Sequence, residues 1–193
     1  MTTAIFDLTN MFFRSMFIVG GNYGTSKQYT YDHQFEIDQL IRKVTTDTAF
    51  TIRQLNPGRV IFTMDQKSWR KNIEIEENEG YKGNREKSEH INWDNVFAAI
   101  DDFGSIMKDQ GFIVTKIEGA EADDIIALWR HEIFLKKQEH VIIVSGDEDM
   151  RQLISRMMDD DGNTIYSCVF DPFTRRRSDN KKLYAHSIVT GKP

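Results

Sequence analysis

Residues 141–149 read Val-Ile-Ile-Val-Ser-Gly-Asp-Glu-Asp. Four apolar residues, all β-branched, stand in a row with no polar alternation. That is the pattern of a strand covered on both faces, as in a parallel sheet. Ser145-Gly146 then breaks the run, and acids follow at once. The same sentence is written elsewhere in the chain. Thr3–Leu8 is a strand with Asp7 near its end, and Arg59–Met64 is a strand followed by Asp65. Phe112–Lys116 is a strand that leads to Glu121, Asp123 and Asp124 at the start of a helix, and Thr164–Val169 is a fifth strand.

Helical stretches lie between these strands. A short apolar helix covers about Asn10–Ile18, and Gly20, Gly21 and Gly24 make a loop after it. From Asp32 to Leu55, Phe35, Leu40, Ile41, Val44, Ile52 and Leu55 recur at helical spacing, and Pro57-Gly58 ends the helix. Asn92 caps a helix with Trp93, Phe97, Ile100 and Met107 on one face, stopped by Gly111. Ala122–Lys137 is a further helix, a short one carries Met150, Leu153 and Ile154, and Lys182–Val189 reads as the last. Strands alternating with helices predict an α/β domain with a parallel sheet, whose sites form beyond the carboxyl ends of the strands.

The 193 residues, 39% of them hydrophobic, suit one domain with a sizeable core. The lone Cys168 leaves no internal disulfide and fits a reducing compartment. No apolar run approaches a membrane span, and no signal peptide is read at the N-terminus, so a cytoplasmic protein is expected. The net charge of −5 is unusual for a nucleic-acid binder. Either the acids are clustered to hold metal, or the partner is no polyanion.

Their distribution favours the first reading. Asp7, Asp65, Glu121, Asp123, Asp124, Asp147 and Asp149 come from four segments and fall at one edge of one sheet. Their mutual repulsion is costly unless cations neutralise it. Magnesium takes hard oxygen ligands and keeps several waters, so a few carboxylates serve each ion, and two ions suit phosphodiester hydrolysis. Taken singly, each acid has a plainer reading. Asp123-Asp124 suits a helix N-terminus, Asp7 a cap, and Asp147-x-Asp149 a solvated turn. Asp159-Asp160-Asp161-Gly162 lacks the remaining ligands of a calcium loop and reads as a turn.

Residues 66–91 are polar, highly charged and poor in core candidates, and read as a mobile excursion from the domain. Trp69, Arg70, Lys71, Tyr81, Lys82, Arg85 and Lys87 interleave basic and aromatic side chains, as phosphate contacts and base stacking require. Glu74, Glu76, Glu77 and Glu79 among them equally suit a solvated loop. There is no phosphate loop and no GxGxxG, and no zinc site can be assembled from one cysteine and scattered histidines.

Five motifs together resemble the tailed-phage 5′-nucleases, relatives of flap endonucleases and of the 5′-nuclease domain of bacterial DNA polymerase, also called exonucleases or RNase H. They are Asp7-Leu-Thr-Asn-Met-Phe-Phe-Arg14, Trp69-Arg70, Tyr81-Lys-Gly-Asn-Arg85, Glu121-Ala-Asp-Asp124 and Ser145-Gly-Asp-Glu-Asp149. The resemblance implies a PIN-like domain, mostly parallel with helices on both faces, in which residues 66–91 form a helical arch. It implies that the seven acids hold two Mg2+ ions, with Mn2+ able to substitute. Lys82 and Arg85 would reach the scissile phosphate as catalytic groups, and Arg14, Arg70 and Tyr81 would bind the nucleic acid. The implied substrate is DNA or an RNA–DNA hybrid with a single-stranded 5′ end, cut at flaps, nicks or junctions during primer removal in phage replication.

Where the family continues Gly-Asp-Asn and adds a helix-hairpin-type module gripping duplex DNA, this chain ends Gly191-Lys192-Pro193. The module is therefore expected to be truncated, separate, or dispensed with in a reduced member. Two other readings stay open: a nucleic-acid-binding domain without catalysis, and a PIN-type single-strand RNase, against which the 66–91 insertion argues. A phosphatase would need a nucleophile, and no strand end offers one.

Overall fold

The computed structural model describes residues 1–20, 29–69 and 90–178. The elements run β1 (Thr2–Asp7), α1 (Leu8–Val19), α2 (Gln34–Leu55), β2 (Arg59–Met64), α3 (Trp93–Asp109), β3 (Ile113–Lys116), α4 (Ala122–Arg130), β4 (His140–Val144), β5 (Ser155–Met158), β6 (Thr164–Asp171) and β7 (Arg176–Ser178). A π-helical turn, His131–Lys136, continues α4, and a 3₁₀ turn, Glu148–Leu153, follows β4.

The sheet order is β3-β2-β1-β4-β6-β5, with β7 also pairing β6. The first five strands in that order are parallel, and β5 and β7 run antiparallel to β6. The chain winds outward from β1 through β2 to β3, then returns to place β4 on the other side of β1. That reversal between β1 and β4 is the switch point where a crevice opens at the strands' carboxyl ends.

Successive residues of the buried strands serve opposite faces. Ala4, Phe6, Phe62, Ile142 and Val144 pack with Met11 and Phe12 of α1, Leu40 and Val44 of α2, and Phe103 of α3. Ile5, Ile61, Val141 and Ile143 pack with Ile126 of α4, Ile133 and Phe134 of the π turn, and Met150. Helices thus cover both faces, as expected.

Asn92 caps α3 as read, its side chain accepting from the Asn95 N–H at 3.2 Å. Gly111, at φ +87°, follows the helix in the left-handed region that favours glycine. The predicted face of that helix is rotated. Val96, Ala99, Ile100 and Phe103 are buried, whereas Phe97 is 45% exposed. Phe97 instead joins Trp93 and Phe13 in an edge-packed aromatic group at the rim of a cleft. Phe35, counted in the apolar stripe of α2, is likewise exposed.

Two strands were missing from the sequence reading. β5 (SRMM) and β7 (RRS) have side chains that are half-buried or exposed. Neither carries a hydrophobic signal of its own, and pairing to β6 alone makes them strands. The turn at Asp159–Gly162 is confirmed: Asp159 accepts from the N–H groups of Asp161 and Asn163, and Gly162 has φ +81°. The excursion's first residues belong to the body. The Gln66 and Trp69 N–H groups donate to the Ala120 and Gly119 carbonyls. Most of the rest, with Arg70, Tyr81, Lys82 and Arg85, and the last predicted helix, lies outside the described residues.

Candidate metal centre

Asp7 ends β1 and is buried, 3% exposed. It begins α1 as its N-cap, accepting from the Asn10 N–H at 3.1 Å. Its other oxygen accepts from the Ser145 hydroxyl at 2.9 Å. Burial, foremost, and the nearby charges of Asp65 and Asp123 push its carboxyl up to about 7, although the hydrogen bonds from Asn10 and Ser145 favour the ionised form. The carboxylates of β1, of the β2 end and of α4 therefore share one electrostatic neighbourhood.

Ser145 is the hinge of the arrangement. It is buried at the end of β4, and its oxygen also accepts from the Asp147 N–H at 3.1 Å. One hydroxyl thus joins the acid after β1 to the loop after β4, across the switch point. Asn10 adds a second tie, accepting from the Gly146 N–H at 3.1 Å. Sequence reasoning passed over both. The signal was present, since Ser145 stands between the apolar run and Asp147, but only the pairing of β1 with β4 gives it a partner 138 positions away.

Four of the remaining acids accept from backbone amides. Asp65, at the exposed end of β2, accepts from the Ala122 N–H at 2.6 Å, and its own N–H donates to the Thr9 hydroxyl. Glu121 and Asp124 form a capping box at the start of α4. Asp147 accepts from the Asp149 N–H at 2.9 Å, and Asp149 is exposed. Among the described residues, no three carboxylate, histidine or cysteine side chains converge closely enough to hold one ion. The donor chemistry nonetheless suits a hard divalent cation. All seven groups are oxygen donors, and the charges of Asp65 and Asp123, which add to burial in raising Asp7, are what a cation neutralises.

Beside these acids, Arg14 of α1 donates from Nη1 to the Gly146 carbonyl at 2.9 Å and lies 3.7 Å from Asp171. Its guanidinium stacks over Phe173 at 4.6 Å. It fills the space a side chain at Gly146 would need, for a Cβ there would sit 1.7 Å from Nη1. On the other side of Asp65 and Glu121 opens a cleft of about 410 Å³, walled by Phe13 and Phe97 and edged by Lys67 and Lys116.

Fold and site together define a resolvase-like α/β domain with an acidic strand edge. The chain belongs to the family described as 5′-3′ exonuclease, N-terminal resolvase-like domain, which matches residues 2–182. Its fold is that of the 5′-exonuclease of bacteriophage T5. The zinc-bound form of that enzyme superposes with a TM-score of 0.65 at 22% identity, covering 97% of this chain and 61% of the T5 chain. The T5 D15 protein co-crystallised with metal ions gives 0.64 at 20% identity, with the same coverage. The T5 D15 flap endonuclease in a pseudo-enzyme-product complex with DNA and metal ions gives 0.61 at 20%, again covering 97% and 61%. The chain spans less than two thirds of those proteins. No curated protein sequence matches it. Among the described residues no helix is long and apolar enough to cross a membrane.

Proposed function

We propose that this chain is the catalytic domain of a divalent-metal-dependent 5′-nuclease. It would hydrolyse phosphodiesters near the 5′ ends of flaps, nicks or RNA–DNA junctions, as primer and flap removal in phage replication requires. The observation that carries the reading is the junction at Asp7, Ser145 and Asp147. It draws acids from both sides of the switch point to one edge, within reach of the charges of Asp65 and Asp123. Asp7, Asp65, Glu121, Asp123, Asp124, Asp147 and Asp149 would hold the ions, Mg2+ or Mn2+. Bound there, such ions supply a Lewis acid and lower the pKa of a water.

The chain's own groups would place the substrate. Arg14, fixed by a carbonyl, a carboxylate and a ring, presents a guanidinium to a phosphodiester beside the acids. Lys82 and Arg85 would steady the developing charge on the scissile phosphate, while Arg70 and Tyr81 bind the 5′ strand. A duplex-gripping module of the kind the family adds would act together with this domain.

Cleavage of a 5′-flap DNA with Mg2+ tests it. Wild type should cut, and Asp123→Asn and Asp147→Asn should lose nearly all activity while circular dichroism reports an intact fold. Variants that cut at the wild-type rate would remove these acids from the site. The same assay decides against a non-catalytic binding domain.

A further inference from the structure

Beyond the ends of β4 and β6 lies a notch of about 230 Å³ lined by Arg14, Ser145, Gly146, Arg151, Asp171 and Ser178. Arg14 reaches it from α1 and Arg151 from the 3₁₀ turn after β4. A third arginine lies on the strand that supplies Ser178. Arg176 of β7 pairs in register with Asp171, and Ser178 lies two residues further along the same strand. Paired and alternate residues share a face of the sheet, so Arg176 belongs to the face that carries both lining residues. Two elements that are distant in sequence thus bring guanidinium groups to one notch, and β7 carries a third arginine on the adjoining sheet face, in a chain whose net charge is −5.

Acids are present there too. Asp171 pairs with Arg14 at 3.7 Å and Glu148 with Arg151 at 3.2 Å, and Asp147 lines the notch. These contacts engage Nη1 of Arg14 and Nη2 of Arg151. A guanidinium has five N–H donors in a planar fork, a shape that suits the paired oxygens of a phosphate. The Arg14 and Arg151 side chains are 38% and 26% exposed, so solvent and a ligand reach both.

We infer that this notch is a second subsite for the phosphodiester backbone. In it Arg151 and Arg176, beside Arg14, grip the substrate strand on the β4–β6 side of the acidic edge. The inference rests on the nuclease reading above and adds two binding residues to it.

Binding of the 193-residue chain to a 5′-flap DNA, titrated in Ca2+ over a range of salt, provides the test, with Mg2+ cleavage run in parallel. Arg151→Ala and Arg176→Ala should each weaken binding by roughly tenfold at moderate salt and flatten the slope of log K against log [salt] by about one. Arg151→Lys should keep the slope and recover part of the affinity. Glu148→Gln should bind as well as wild type or better. Unchanged affinity and slope in the two alanine variants would overturn the inference and leave the nuclease reading intact. So would a loss in Glu148→Gln equal to that in Arg151→Ala, because the ion pair would then be structural. A wild-type chain that cuts no flap, nick or junction would overturn the nuclease reading, and this inference with it.

Discussion

Asp7→Asn should make the protein more stable at neutral pH when divalent ions are chelated, even as it removes one of the acids proposed to hold metal. Asp7 is 3% exposed, and its carboxyl is raised from 3.8 to about 7. The folded state therefore binds a proton more tightly than the unfolded chain does. The penalty is absent below the unfolded value, grows as pH rises from about 4, and is complete once pH passes the folded value near 7. At 1.36 kcal/mol per unit, a shift of about three units costs roughly 4 kcal/mol above pH 7. Asparagine carries no charge and keeps an oxygen for the Asn10 N–H, so the α1 cap survives. Disturbing the contact with Ser145 offsets about 1 kcal/mol, leaving a gain of roughly 3 kcal/mol at pH 8. Below pH 4 the variant should equal wild type or fall slightly beneath it. The assay is urea unfolding of both proteins in EDTA from pH 4 to 8.5, reading the difference between the two curves. The reasoning fails if that difference does not grow between pH 4 and 7, or if Asp7→Asn is the weaker protein at pH 8.

Adding Mg2+ or Mn2+ should raise the melting temperature of wild type and shift Asp7→Asn much less, as differential scanning fluorimetry would show. Ser145→Ala removes the donor to Asp7 and the acceptor of the Asp147 N–H, and should cost about 1–3 kcal/mol in urea unfolding while weakening divalent binding. Gly146→Ala should fold, because the atoms it meets, Nη1, Cζ and Cδ, all belong to the flexible Arg14 side chain, but it expels Arg14 from its seat. DNA affinity should drop to that of Arg14→Ala, and the double variant should be no worse than either, which a double-mutant cycle reads directly. Lys82→Ala should slow the single-turnover rate more than it weakens binding, since its charge would act on the transition state.

The strand-end acids were legible because an apolar run buried on both faces is visible in one dimension, and the chain must leave the sheet where the run ends. Asp7, Asp65 and the Ser145–Asp149 loop could be placed at one edge on that basis alone. Helix limits were nearly as readable, because Asn92 and Gly111 mark them by local backbone chemistry. β5 and β7 were not readable. An edge strand with half-exposed side chains owes its conformation to hydrogen bonds with β6, and nothing in Ser155–Met158 encodes that partner. The exposure of Phe97 was equally hidden, for helical spacing reports that a stripe exists but not which neighbour it meets. The same limit governed the site. Composition and order could nominate seven acids, and the family resemblance Arg14, but tertiary structure decided how they are held. It turned Glu121 and Asp124 onto the α4 amides, set Ser145 between the β1 and β4 ends, and placed Arg151 in one notch with Arg14. Those relations depend on which strands lie side by side, a long-range choice fixed by packing the whole sheet.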